Sequence, residues 1–218
     1  MGWGDSKIVI SIHFVFLKKT KMKSIFITLL LTVLTICVYS QQMPQEEFDI
    51  KYEELINELM AENYSAAYTN ASSIYSRIEN DSAYDHEQKV IRYILIYSTA
   101  GMMNNEQLTK EEALEKVIHL KGTYMIMPAH TFNENCYTNC IHISEDTNTF
   151  FSGVNNSDGT NILSFEYVTI ADGIKHTIEE MTNKMIILEG TLDEITTEGF
   201  MFPHFSLKFS NGKYTILD

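Results

Sequence analysis

Basic residues are scarce in this chain: 16 lysines and arginines stand against 29 aspartates and glutamates, a formal net charge of −13 at pH 7. Such a surface repels phosphate backbones and has no counterion release to drive binding, so nucleic acid is excluded as a partner. Tryptophan is almost missing, with Trp3 the only one, so tyrosine and phenylalanine must fill any aromatic core. Catalytic signatures are missing as well. There is no Gly-x-Ser-x-Gly elbow, no His-Glu-x-x-His, no Walker loop and no dinucleotide fingerprint, so the enzyme classes those motifs define find no support. Asp146-Thr147-Asn148 opens like a calcium loop, but Phe150 takes the next ligand position and no glycine follows. No cofactor is implied. Glutamate pairs at 46/47, 53/54, 111/112 and 179/180 are read as solvated faces. Three of the four fall at expected helix starts, where the macrodipole favours negative charge.

What is present begins with residues 22–40, MKSIFITLLLTVLTICVYS. Met22-Lys23 supply a positive start, an uncharged run follows to Val38, and the stretch ends at small Ser40. That is the pattern of a cleavable secretion signal, with cleavage expected between Ser40 and Gln41. The uncharged run is shorter than the ~20 residues that cross a bilayer core, so no stable membrane anchor is expected after cleavage. Ile36 precedes Cys37 where a lipidated cysteine needs a small residue. Residues 1–21 are either translated sequence upstream of a start at Met22 or an extended n-region starting at Met1. The expected compartment is secreted or periplasmic. Removing residues 1–40 leaves 178 residues with 11 basic and 28 acidic side chains, enough for one ordinary domain or two small ones.

Two cysteines remain after the signal, Cys136 and Cys140 in NENCYTNCIH. An even count in an oxidising compartment points to a disulfide. In an extended strand residues four apart lie about 13 Å from each other, beyond the roughly 7 Å limit for bridging. The segment must therefore turn, and Asn133, Asn135 and Asn139 favour a turn. The other readings are two free thiols and a zinc site from Cys136, Cys140 and His142, with His130, although the spacing matches no strong zinc pattern. Sequons for glycosylation stand at Asn63, Asn70, Asn80 and Asn155.

Behind a linker at 41–45, the chain divides into a helical part, 46–121, and a strand part, 122–218. Tyr64, Ala67, Tyr68, Ala71, Ile74, Tyr75 and Ile78 recur at helical period. Their thin middle, Ala67 and Ala71, admits a close neighbour, expected to be the helix over 46–61. Further helices are expected over 85–101 and from Thr109, where Thr109 and Glu112 are spaced as a capping box, to Leu120, with Gly122 as the stop. Asn63-Tyr64-Ser65-Ala66-Ala67 resembles a tetratricopeptide repeat hairpin. The resemblance covers about thirty residues; Ala71 departs from its aromatic position and no second copy recurs at a fixed period. A plain helical bundle remains open.

In the strand part, 124–132 reads as a strand broken at Pro128, followed by strands over 150–154, 162–170 and 185–195, with a short helix over 176–182. Gly190 is a candidate bulge. Asn211-Gly212 predicts a two-residue hairpin turn between 205–210 and 213–217, with Phe205, Leu207, Phe209, Tyr214 and Ile216 on one buried face. Three strands, a helix and two or three strands are similar in order to an OB-fold barrel; an antiparallel sheet packed on the helices fits equally. The expected class is α+β. Functionally, the expectation is an exported, non-catalytic module that binds a protein or small molecule. The alternative is a secreted hydrolase whose residues converge only on folding. A pocket of convergent carboxylates or a His–Cys–His cluster would favour the enzyme, and an apolar surface the binder.

Overall fold

The computed structural model of the chain describes residues 43–144, 148–157 and 159–217. Residues 1–21, the signal-like segment 22–40 with Cys37, the first two linker residues and Asp146-Thr147 lie outside the described residues. Pro44–Asp218 form one compact unit, with helices first and a seven-stranded sheet after them.

Helix α1 spans Gln45–Met60, α2 Tyr64–Ile78, α3 Asp85–Asn104 and α4 Lys110–Val117. The α2 face is as its periodicity predicts, with Tyr64, Ala67, Ala71, Ile74 and Ile78 buried. It meets α3 as well as the expected α1. The reason lies at Gly101 of α3, where a Cβ would come within 2.3 Å of the Tyr64 ring. A glycine there lets the tyrosine ring lie on the α3 backbone. Gly101→Ala is expected to cost about 1–3 kcal/mol, as overpacking does, and Tyr64→Leu in the same chain should restore part of it; urea denaturation of the two variants checks this. Arg77 and Glu47 clamp α2 to α1 through a two-pronged ion pair, which holds the Glu47 carboxyl below its usual range. Buried Gln88 of α3 donates to the carbonyls of Ile78 and Asp81 at 2.7 and 2.8 Å, tying α3 to the turn that follows α2. The Thr109–Glu112 capping box opens α4 in both directions, and Gly122 follows at φ 82°.

The strands are β1 Tyr124–Ile126, β2 His130–Phe132, β3 Cys140–Ile143, β4 Thr149–Asn155, β5 Ile162–Ile170, β6 Met185–Glu198 and β7 His204–Leu217. A short helix, α5, occupies Ile178–Met181. Pro128 breaks the first strand as expected, and both halves pair with β6. The class is α+β. The sheet is mixed, not purely antiparallel, because β5 runs parallel to β7 and β2 parallel to β3. After α5 carries the chain across, the β6–β7 hairpin brings β7 back beside β5 in the same sense. Strand order is β1-β6-β2-β3-β4-β5-β7 with a further β6–β7 pairing, and the sheet is not a clear barrel. One face packs on α3; the row Phe150, Val168, Phe209 and Leu192 crosses it in register, all four buried.

The hairpin expected at Asn211-Gly212 is not there. Residues 204–217 form one strand, and the hairpin turn lies at 199–203, where Glu198 pairs with His204. Asn211 does take positive φ, 50°, but within a bulge: Ser210 pairs with Thr191 and Lys213 with Glu189, so two residues oppose Gly190. A bulge makes the same demand on backbone conformation as a turn. A continuous strand wins because it bonds to β6 and β5 at once, whereas a turn would leave an isolated, marginal two-stranded unit. The extra residue also shifts the alternation, so Tyr214 and Ile216, though half-buried, stay on the face of the buried Phe205, Leu207 and Phe209.

Candidate binding groove

A groove of about 610 Å³ opens between α1, α3 and the β1–β2 segment. Its size lies within the usual range of small-molecule sites, about 300–1,000 Å³. Tyr52, Ile56 and Leu59 of α1 form one wall, Val90, Tyr93 and Tyr97 of α3 the floor, and 126–130 with Val154 and Asn155 the far side. The wall on α1 is the i, i+4, i+7 row of that helix, half-buried because the groove lies in front of it. Among the described residues no aspartate, glutamate, lysine or arginine lines it.

The floor is fixed from below. Tyr93 is buried, and its hydroxyl passes through to the sheet and donates to Glu166 Oε1 of β5 at 2.6 Å, which Ser164 also reaches at 3.1 Å. Glu166 is 1% exposed. Burial raises its pKa to about 7, against the pull of those two hydrogen bonds. The same burial and the nearby carboxylate keep the Tyr93 phenol protonated. Tyr97 donates to the Asn155 carbonyl at 3.4 Å and holds the far end of the floor to β4.

Two polar atoms among the groove residues lack a partner: Nε2 of His130 and Oδ1 of Asn155, both occluded from solvent. Burial lowers the His130 pKa, which favours the neutral imidazole. The rest of Asn155 is engaged, its amide donating to the Gly159 carbonyl at 3.3 Å and its backbone N–H to Asn139 Oδ1 at 3.0 Å. Each of the two unpartnered atoms carries the free-energy cost of a buried polar atom without a partner, and the mainly apolar lining of the groove suits an uncharged guest. Asn155 is also a sequon residue, and this burial leaves no room for a glycan on it. The other three sequon asparagines lie on or beside α2.

Cys136 and Cys140 form a disulfide with Cα atoms 6.2 Å apart. The asparagines make the turn as expected: Asn133 Oδ1 accepts from Asn135 N–H, the Asn133 carbonyl accepts from Cys136 N–H, and Asn139 takes φ 55°. The loop lies flat on β4, where a Cβ at Gly153 would come within 2.3 Å of the Tyr137 carbonyl. Its last residue, Asn139, donates to the Gly153 carbonyl at 2.6 Å and receives Asn155 N–H. The disulfide loop thus borders the groove.

The proposed zinc ligands do not converge. Both sulfurs are taken by the disulfide. His130 and His142 lie on opposite faces of the sheet, because Phe132 pairs with Ile141 in the parallel register and side chains alternate from there. His142 instead packs against Phe151, with ring centroids 4.8 Å apart and the planes tilted by 48°. Among the described residues no cluster of three histidine, cysteine or acidic side chains is arranged for a metal. The glutamate pairs 46/47, 111/112 and 179/180 sit in first turns of α1, α4 and α5. Of the groove residues, sequence reasoning singled out His130, Asn139 and Asn155 for other roles; it missed Tyr93 and, beneath the floor, Glu166. The available signal was a lone carboxylate inside the apolar run 162–170.

No protein-family model, curated protein or solved structure matches the chain. Among the described residues no helix is long and apolar enough to cross a membrane.

Proposed function

We propose that the protein is an exported binding protein without catalytic activity, holding a neutral, mainly apolar small molecule in the groove between α1 and the sheet. Export rests on the signal-like residues 22–40. Binding rests on one observation: a groove of about 610 Å³ whose lining, among the described residues, is mainly apolar and holds no aspartate, glutamate, lysine or arginine. Apolar walls supply affinity by burial. Hydrolysis would call for convergent carboxylates or an activated nucleophile, and the character of this lining favours retention of a guest instead.

The neutral fluorophore 1-aminoanthracene, an apolar body with one amine, should bind and brighten. Val90→Trp fills the groove from α3 and Ile56→Trp from α1; each is expected to weaken binding about tenfold or more without changing the melting temperature. Equal binding by the parent chain and both filled variants, or no binding by the parent, overturns the reading.

A further inference from the structure

The β6–β7 turn carries the sequence Gly199-Phe200-Met201-Phe202-Pro203. Phe200 is 98%, Met201 78% and Phe202 61% exposed. Three consecutive large apolar side chains at the apex of a hairpin cannot reach their own core, and contiguous exposed apolar surface marks an interaction site. The apex is also held firmly. Beneath it run two strands of fourteen residues paired almost end to end. Asn104 at the end of α3 donates to the carbonyls of both Pro203 and Ile162, at 3.3 and 3.2 Å. His204 Nδ1 lies 2.9 Å from the Phe202 carbonyl. Little chain entropy remains to be lost when these side chains are buried.

We propose that this apex inserts reversibly into the interface of a zwitterionic lipid bilayer. Its chemistry is layered. The apex is purely apolar and convex, and the residues lying against it, Thr160 and Asn161, are uncharged hydrogen-bonding groups suited to headgroup depth. No lysine or arginine occurs in 199–204 or 159–162, so nothing there recruits anionic lipid. Exposed Glu198 flanks the turn on a chain of net charge −13. That sign complements the outermost ammonium groups of phosphatidylcholine or phosphatidylethanolamine and opposes a phosphatidylglycerol surface. A protein pocket lined for such an apex would bring directional polar contacts, and the apex offers no polar side chain to meet them. The proposal is independent of the groove, since it needs neither His130 nor Asn155.

The test uses the exported chain from Gln41, which has no tryptophan of its own, with Phe202→Trp, so that one tryptophan reports from the apex. With vesicles of pure phosphatidylcholine the emission should shift to the blue and the protein should sediment with the lipid. Replacing one-third of the lipid by phosphatidylglycerol should weaken binding. A Phe200→Ser, Met201→Ser, Phe202→Ser variant should lose lipid binding about 100-fold or more while keeping the melting temperature and the response to 1-aminoanthracene. Three results overturn the proposal: no shift and no sedimentation with phosphatidylcholine, binding only when phosphatidylglycerol is present, or a lipid-free dimer that the triple-serine variant converts to monomer. The last would assign the apex to a second copy of the chain.

Discussion

Phe209→Ala should lower the stability of the protein by about 3–5 kcal/mol, the range for deleting a buried phenylalanine side chain, whereas Lys208→Ala should change it by less than about 1 kcal/mol. The two residues are adjacent on β7 and face opposite ways. Phe209 is 2% exposed, pairs with Leu192 on β6 and Val168 on β5, and belongs to a buried apolar row across the sheet. Removing its ring opens a cavity in the middle of the sheet, and neighbours fixed by two strand pairings can relax little into it. Lys208 stands on the other face and holds Glu194 at 2.9 Å with half of each side chain in water, where such a pair contributes little. Chemical denaturation of the two variants measures the contrast. Equal losses would mean that β7 does not lie between β5 and β6 with this face inward.

Glu166→Gln should make the protein more stable at neutral and alkaline pH, by up to about 3 kcal/mol above pH 7. The sign follows from the raised pKa, about 7 in the fold against an ordinary 4.5. Between those values the folded chain holds a proton that the unfolded chain has released, so stability falls as pH rises through that window and the full penalty is present above it. Glutamine removes the charge and keeps an oxygen to accept the Tyr93 hydroxyl. The two proteins should therefore be nearly equal at pH 4.5, diverge up to about pH 7 and keep a constant difference above it. Thermal unfolding across that range checks the slope, and parallel curves would show that Glu166 does not titrate in the core. Tyr93 links this group to the groove floor, so the cost of a buried carboxylate buys a fixed ring position there.

The helices were legible because each expresses a rule satisfied locally. The α2 periodicity and the Thr109–Glu112 box need no knowledge of the rest of the chain, and both appear as read. Strand β5 shows where local reading stops. Its sequence ILSFEYVTI alternates so that Phe165 and Tyr167 form the greasier face, with Ser164 and Glu166 opposite. The structure buries Ser164 and Glu166 and leaves the two aromatic rings half-exposed, packed with Phe151 across the outer face. Tyr93 on α3 reverses the pattern by giving the carboxylate a partner, and no window on β5 contains Tyr93. Such conflicts between local pattern and global fold concentrate at functional sites. Asn211-Gly212 failed differently, because one backbone demand serves both bulge and turn and only strand pairing decides between them. The groove was illegible for the simplest reason: Tyr52, Val90, His130 and Asn155 come from four separate elements or connections that meet only in the folded chain.

Backbone amide chemical shifts during titration with 1-aminoanthracene test the groove most directly. Binding there predicts that changes concentrate at Tyr52, Val90, Tyr93, His130 and Asn155, saturate together, and leave residues 199–202 and the outer face at Phe151 and Tyr167 unmoved. Changes centred on the outer face or the β6–β7 apex, or none at concentrations that saturate the fluorescence, would contradict it.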